Sequence, residues 1–253
     1  DFNTSCLCSP TRAELLTGCH AHSVGMGFVA NASPGFPGYT AELPRNQPTM
    51  AEAFRAAGYG TMAIGKWHLC RDADYHEAAD KHAWPLQRGF EQYYGFLEAL
   101  TSFHHPHRLY RGNDVIDVDA YPEGYYLTDD LTEQAMRMLR AHKAADPAKP
   151  FFMYFAHGAV HAPLHAKPVD MAKYRGRYAA GWDAGRQNRY ERQKALGIIA
   201  ANTGLAVVLD AIGVRVVPQP IAKPLRRTHE HRLQQEVVVG RRVVVHPVVR
   251  PKN

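Results

Sequence analysis

The chain has 253 residues, 45% of them apolar, enough for one domain with a substantial core. It carries 30 Lys and Arg against 24 Asp and Glu, but the surplus of +6 is confined to residues 201–253, which hold 9 basic and 3 acidic side chains and no Phe, Tyr or Trp. A basic segment without aromatic interleaving argues against a nucleic-acid partner, leaving only sequence-independent polyanion binding as an alternative for it. No run is apolar for the roughly 20 residues of a membrane span, so the visible chain reads as soluble.

In chain order, the first predicted element is a helix opening at Cys8-Ser9-Pro10-Thr11-Arg12 and closing at Gly18. Proline is tolerated in a first helical turn and glycine suits the far end. Cys8 then sits at a helix N-terminus, where free N–H groups and the helix dipole favour an anion, and Arg12, one turn on, can reach back to it. Thr49 followed by Glu52 forms a capping box for a second helix, stopped by Gly58, and Thr61 to Ile64 suits a strand. Lys66 and His68 follow that strand two residues apart, so an extended segment turns both to one side and Trp67 to the other. Thr128 is expected to cap a third helix, with Asp129 and Asp130 in its first turn and Leu131, Ala135, Met138 and Leu139 along one stripe. Phe151 to Ala156 is a continuous apolar run, as expected of a strand covered on both faces, and His161 lies just beyond it.

Helix-then-strand units of this kind indicate an α/β sandwich with a largely parallel sheet, in which ligands sit beyond the carboxyl ends of strands. Cys8, Arg12, Lys66, His68 and His161 are therefore the candidate catalytic set. Residues 200–253 are a separate basic Val/Arg/Pro-rich tail. Its runs Val237-Val239 and Val243-Val245 read either as edge strands broken by prolines or as a segment never selected to fold.

Cys8 to Gly18, with Leu16-Thr17-Gly18 at its end, resembles the signature of the type I sulfatases. Gly58-Tyr59 through Gly65-Lys66-Trp67-His68-Leu69 resembles the second signature of that family, and Arg88-Gly89-Phe90 with Tyr94-Gly95-Phe96 the segment after it. Pro150-Phe151-Phe152 through His161-Ala162-Pro163-Leu164 is similar to the strand and loop that deliver a further catalytic histidine, and Tyr178, Gly181-Trp182-Asp183, Arg186, Arg189 and Leu196-Gly197 keep family order. The resemblance covers residues 1–199 as a partial catalytic domain, incomplete at both ends, of the alkaline-phosphatase-like α/β fold.

The resemblance implies an arylsulfatase-like sulfuric ester hydrolase. A formylglycine-generating enzyme would oxidise Cys8 to formylglycine, whose hydrate attacks the sulfur of a small-molecule or saccharide sulfate ester. The second hydroxyl then expels sulfate. His68 would be the base for that step, Arg12 and Lys66 would hold the hydrate and neutralise the sulfuryl oxygens, and His161 would contact sulfate and protonate the leaving group. Family members also bind Ca2+ beside the formylglycine, so Cys8 as its hydrate would be a metal ligand. The upstream acidic pair and the downstream Asp-Asn pair that complete that site have no counterpart in the chain, nor does a second downstream lysine.

Three other readings compete. A phosphatase or phosphonate monoester hydrolase of the same superfamily would recognise the same tetrahedral anion. An inactive relative would bind sulfated ligands without turnover. A zinc module could use Cys6, Cys8, Cys19, His20 and His22, although Cys-x-Cys is unlike common zinc loops. Asn3-Thr4-Ser5 and Asn31-Ala32-Ser33 match the glycosylation triplet, four cysteines leave disulfides open, and the compartment stays undetermined.

Overall fold

The computed structural model describes residues 4–205. Two compact units divide at Gly181. The first contains helix α1 (Cys8–Thr17), α2 (Met50–Ala56), strands β1 (Gly60–Lys66), β2 (Gln92–Phe96), β3 (Leu109–Arg111) and β4 (Asp114–Ile116), helix α3 (Leu127–Ala145), strand β5 (Phe151–Ala156) and the short α4 (Pro168–Ala172). The described part of the second contains α5 (Gly181–Ala195), which has no buried residue.

The sheet runs in the order β4-β3-β2-β1-β5. β1 pairs in parallel with β2 and with β5, while β3 is antiparallel to both β2 and β4. Four of the five strands thus point the same way, as the expected α/β sandwich requires.

Alternation along the strands sorts the core onto two faces. Ala63 of β1, Tyr93 of β2 and Tyr110 of β3 join Ala13 and Leu16 of α1, Trp67 and Trp84 on one side. Met62 and Ile64, Tyr94 and Phe96, and Leu109 meet Leu127, Leu131, Ala135 and Met138 of α3 on the other. The stripe read on α3 is the face it buries, with Leu139 packed at its margin.

The capping box is present in full, since the Thr49 hydroxyl accepts from Glu52 N–H at 3.2 Å and the Glu52 carboxylate accepts from Thr49 N–H at 2.6 Å. The Thr128 cap is corrected. α3 opens two residues earlier, with Tyr126 as its N-cap and no side-chain cap, and the Leu127 N–H donates to the carbonyl of Phe103 at 2.7 Å. β1 is longer than Thr61 to Ile64 at both ends and includes Lys66. β5 matches its expected span, but it lies at the edge of the described sheet, with Phe151 41% and Phe155 39% exposed, not covered on both faces. Both Val-rich runs of the tail fall outside the described residues.

At the carboxyl ends of the three parallel strands the backbones close in. Gly65 has φ 96°, and a Cβ there would stand 2.1 Å from the Ala156 carbonyl oxygen; one on Gly95 would stand 2.0 Å from that of Gly65. Only glycine permits this approach.

Candidate active site

Cys8 is the first residue of α1, and its N-cap Leu7 offers no side-chain cap to the first-turn N–H groups. The end of the helix is as read, with Gly18 left-handed at φ 68°. The half-buried Cys8 thiol lines a cavity of about 400 Å³ together with Arg12, Thr11, Tyr154 and His157.

Three of the other four expected residues surround this position. The Cys8 Sγ lies 3.2 Å from His68 Nδ1. Lys66, only 3% exposed, has its ammonium within electrostatic reach of Cys8 and Arg12. Burial lowers the Lys66 pKa, the Cys8 side opposes that, and the Arg12 charge adds to the lowering. The Arg12 guanidinium donates to the Lys66 carbonyl at 2.5 Å and to the Tyr154 hydroxyl at 3.1 Å through one nitrogen, so its other N–H groups stay available to a ligand. Burial also keeps the Tyr154 hydroxyl protonated above the usual phenol range, against the pull of Arg12.

His68 is 1% exposed and its pKa is pushed down to about 3, first by burial and then by the charges of Lys66, Arg12 and His161. It is therefore a neutral imidazole at ordinary pH, able to accept a proton. Its backbone is left-handed, φ 56°, so Lys66-Trp67-His68 is not extended throughout as expected. Trp67 does pack away from the thiol. Its ring lies in the core, meets Phe90 edge-on with centroids 6.0 Å apart, and donates Nε1–H to the Ala83 carbonyl at 2.7 Å.

His161 stands apart from the other four. Its ring is exposed, Nδ1 lies 2.8 Å from the Ala162 carbonyl, and it reaches the cluster through its charge on His68. The loop bearing it is anchored elsewhere. Phe103 N–H donates to His165 Nδ1 at 3.2 Å, Tyr126 hydroxyl donates to the His165 carbonyl at 3.1 Å, and Lys167 pairs with Asp129 at 2.7 Å.

Asn31, Ser9, Tyr154 and His157 were not among the residues singled out for the site. Asn31, read only as part of a glycosylation triplet, places Oδ1 3.1 Å from His68 Nε2. Ser9, fully buried, donates to the His68 carbonyl at 2.8 Å and accepts from Ala30 N–H at 3.0 Å. His157 could have been found as the first residue after the apolar strand, by the rule that favoured His161. The contacts of Asn31 and Ser9 span 37 and 59 residues and leave no local signal.

A hard divalent cation wants several oxygen ligands. Glu14, the acidic residue of α1, is committed to the Ser5 hydroxyl at 2.8 Å and Ala21 N–H at 3.2 Å, and Asn31 Oδ1 to His68. Among the described residues no group of three or more His, Cys, Asp or Glu could hold a metal ion. The described side chains thus do not by themselves fit calcium. Cys6, Cys8, Cys19 and Cys70 are free thiols, and no described helix is long and apolar enough to cross a membrane.

Comparison with known proteins gives a match to the family model described as Sulfatase over residues 2–215. An uncharacterised sulfatase of Schizosaccharomyces pombe is 30% identical over 238 residues, 85% of this chain and 40% of that protein. An arylsulfatase of Klebsiella aerogenes is 30% identical over 217 residues, 81% of this chain and 44% of its own length. The chain thus spans less than half the length of these curated relatives. Among solved structures, Ps i-CgsB in complex with k-i-k-neocarrahexaose superposes with a TM-score of 0.53 at 27% identity, covering 66% of this chain and 38% of that one.

Proposed function

The chain belongs to the sulfatase family, and on that premise we propose that it supplies the nucleophile, base and anion-binding cations of a sulfuric ester hydrolase, with formylglycine made from Cys8 as the nucleophile. The observation that carries the reading is the contact of Cys8 Sγ with Nδ1 of a buried histidine at a helix N-terminus without a side-chain cap, beside a buried lysine. When present, the aldehyde hydrate supplies a hydroxyl that attacks sulfur and a second one that releases sulfate and restores the aldehyde, a release that an ordinary thiol or hydroxyl lacks.

The residues of this chain have separate tasks. The first-turn N–H groups of α1 and the free N–H groups of Arg12 face charge on the sulfuryl oxygens, and Lys66 offsets it from within the protein, where low dielectric makes each cation count for more. His68 Nδ1 takes the proton of the group at position 8. His161, on the exposed loop, contacts the sulfate and protonates the departing alcohol or phenol. No step passes through calcium, which the described residues do not fit.

The organic part of the ester is read as a small phenol or a saccharide. Ps i-CgsB was crystallised with k-i-k-neocarrahexaose, which supports the saccharide. The site is also suited to phosphate, so paired sulfate and phosphate esters discriminate the two chemistries.

The test is the mass of the tryptic peptide around Cys8 from protein co-expressed with a formylglycine-generating enzyme. Replacement of the thiol by an aldehyde or its hydrate is expected. A thiol that stays intact under those conditions refutes the reading.

A further inference from the structure

We propose that Ser9 and Asn31 are positioning residues that set the tautomer and orientation of His68. Each side of the imidazole has one partner, Cys8 Sγ at 3.2 Å from Nδ1 and Asn31 Oδ1 at 3.1 Å from Nε2. A carboxamide oxygen only accepts, so Nε2 carries the proton and Nδ1 presents a lone pair to position 8. In the other tautomer a proton would occupy Nδ1, two lone pairs would oppose each other at Asn31, and the ring could accept nothing from position 8.

Ser9 fixes the frame in which this works. Its hydroxyl donates to the His68 carbonyl at 2.8 Å and accepts from the N–H of Ala30 at 3.0 Å, so one buried group clips the main chain of His68 to the residue preceding Asn31. The His68 N–H is held in turn by the Leu97 carbonyl at 3.0 Å. These bonds retain a left-handed backbone, φ 56°, that L side chains rarely adopt. The helix start, the 30–31 loop and the end of β1 therefore meet in one brace whose free end is the imidazole. Besides Cys8 and Asn31, the charged and titratable groups acting on that ring are Lys66, Arg12 and His161.

The consequence for turnover rests on the proposed role of His68 as base, while the brace itself does not. The full chain labelled with 15N-histidine distinguishes them. Long-range 1H–15N correlation at neutral pH, with the His68 signals assigned by their loss in His68→Gln, is expected to show a single Nε2–H tautomer in the parent chain. Asn31→Ala, which alters an exposed residue and so spares the fold, is expected to give a mixture or the Nδ1–H form. Ser9→Ala is expected to broaden or shift the same signals, and Ser9→Thr, which keeps the hydroxyl, to restore them. A single unchanged Nε2–H signal in Asn31→Ala overturns the proposal. In enzyme that carries the modification, Asn31→Ala is expected to lower kcat about tenfold with little change in KM. A tautomer change without any loss of kcat would retain the brace and remove His68 from the role of base.

Discussion

The surroundings of Cys8 and the loop bearing His161 present the two histidines proposed for the site by opposite means. His68 is buried, bonded at both ring nitrogens and at its own carbonyl, and kept neutral by its surroundings. His161 is exposed, its ring meets its neighbour's carbonyl, its N–H donates to the Gly158 carbonyl, and its loop is tied down several residues later, at His165 and Lys167. Burial makes a side chain's chemistry a property of the fold. Exposure leaves it to the ligand that arrives.

The sharpest test of this contrast is acid unfolding. His68 has its pKa lowered from 6.5 to about 3, so between those values the unfolded chain binds a proton that the folded chain refuses, and stability rises with pH. The contribution is complete above about 6.5 and gone by about 3, and it amounts to at most on the order of 5 kcal/mol. His68→Gln should flatten this limb in denaturant titrations run from pH 7 to pH 4, whereas His161→Ala should leave it in place. An unaltered slope in His68→Gln would show that the imidazole is not held neutral by the fold.

A smaller effect is expected at the exposed partner. His161→Ala should change stability by less than about 0.5 kcal/mol, as surface substitutions do, while lowering kcat roughly 100-fold in the modified enzyme if its imidazole donates the leaving-group proton. Leaving groups that need no protonation should be spared most of that loss, which steady-state kinetics on phenyl esters of graded acidity would reveal. The smallest effect belongs to Lys167→Ala. An ion pair with both partners partly exposed, 34% and 53%, contributes little to stability and should weaken with salt. A larger change in thermal unfolding would mean that the loop depends on this pair more than on His165.

The sequence carried the elements whose signals are local. Pro10 and Gly18 bracket α1, Thr49 and Glu52 cap α2, and the apolar run from Phe151 to Ala156 marks β5 to the residue. Where a distant contact decided the outcome, sequence reasoning failed. Thr128 had the right chemistry for a cap, but the Phe103 carbonyl accepts from Leu127 N–H and starts the helix earlier. An all-apolar strand suggests two covered faces, yet β5 takes an edge of the described sheet with two phenylalanines partly exposed. The β3–β4 hairpin was legible and passed over, since Gly112-Asn113 between Leu109–Arg111 and Asp114–Ile116 is a two-residue turn signal, with Gly112 at φ 64°. At the site, motif spacing pointed to Arg12, Lys66 and His68 around Cys8, but not to Asn31, whose role depends on a fold-back that no periodicity records.

The pinch at Gly65 and Gly95 makes the architecture intolerant in an unusual place. Neither position carries a side chain for chemistry, yet a single methyl group at either would collide with a neighbouring carbonyl. Substitution there would push β1 away from β5 or β2 and carry Lys66 and His68 with it. Loss of hydrolysis in such variants would then signal displaced scaffolding, and a screen scoring only turnover would wrongly count two inert glycines among the chemical participants.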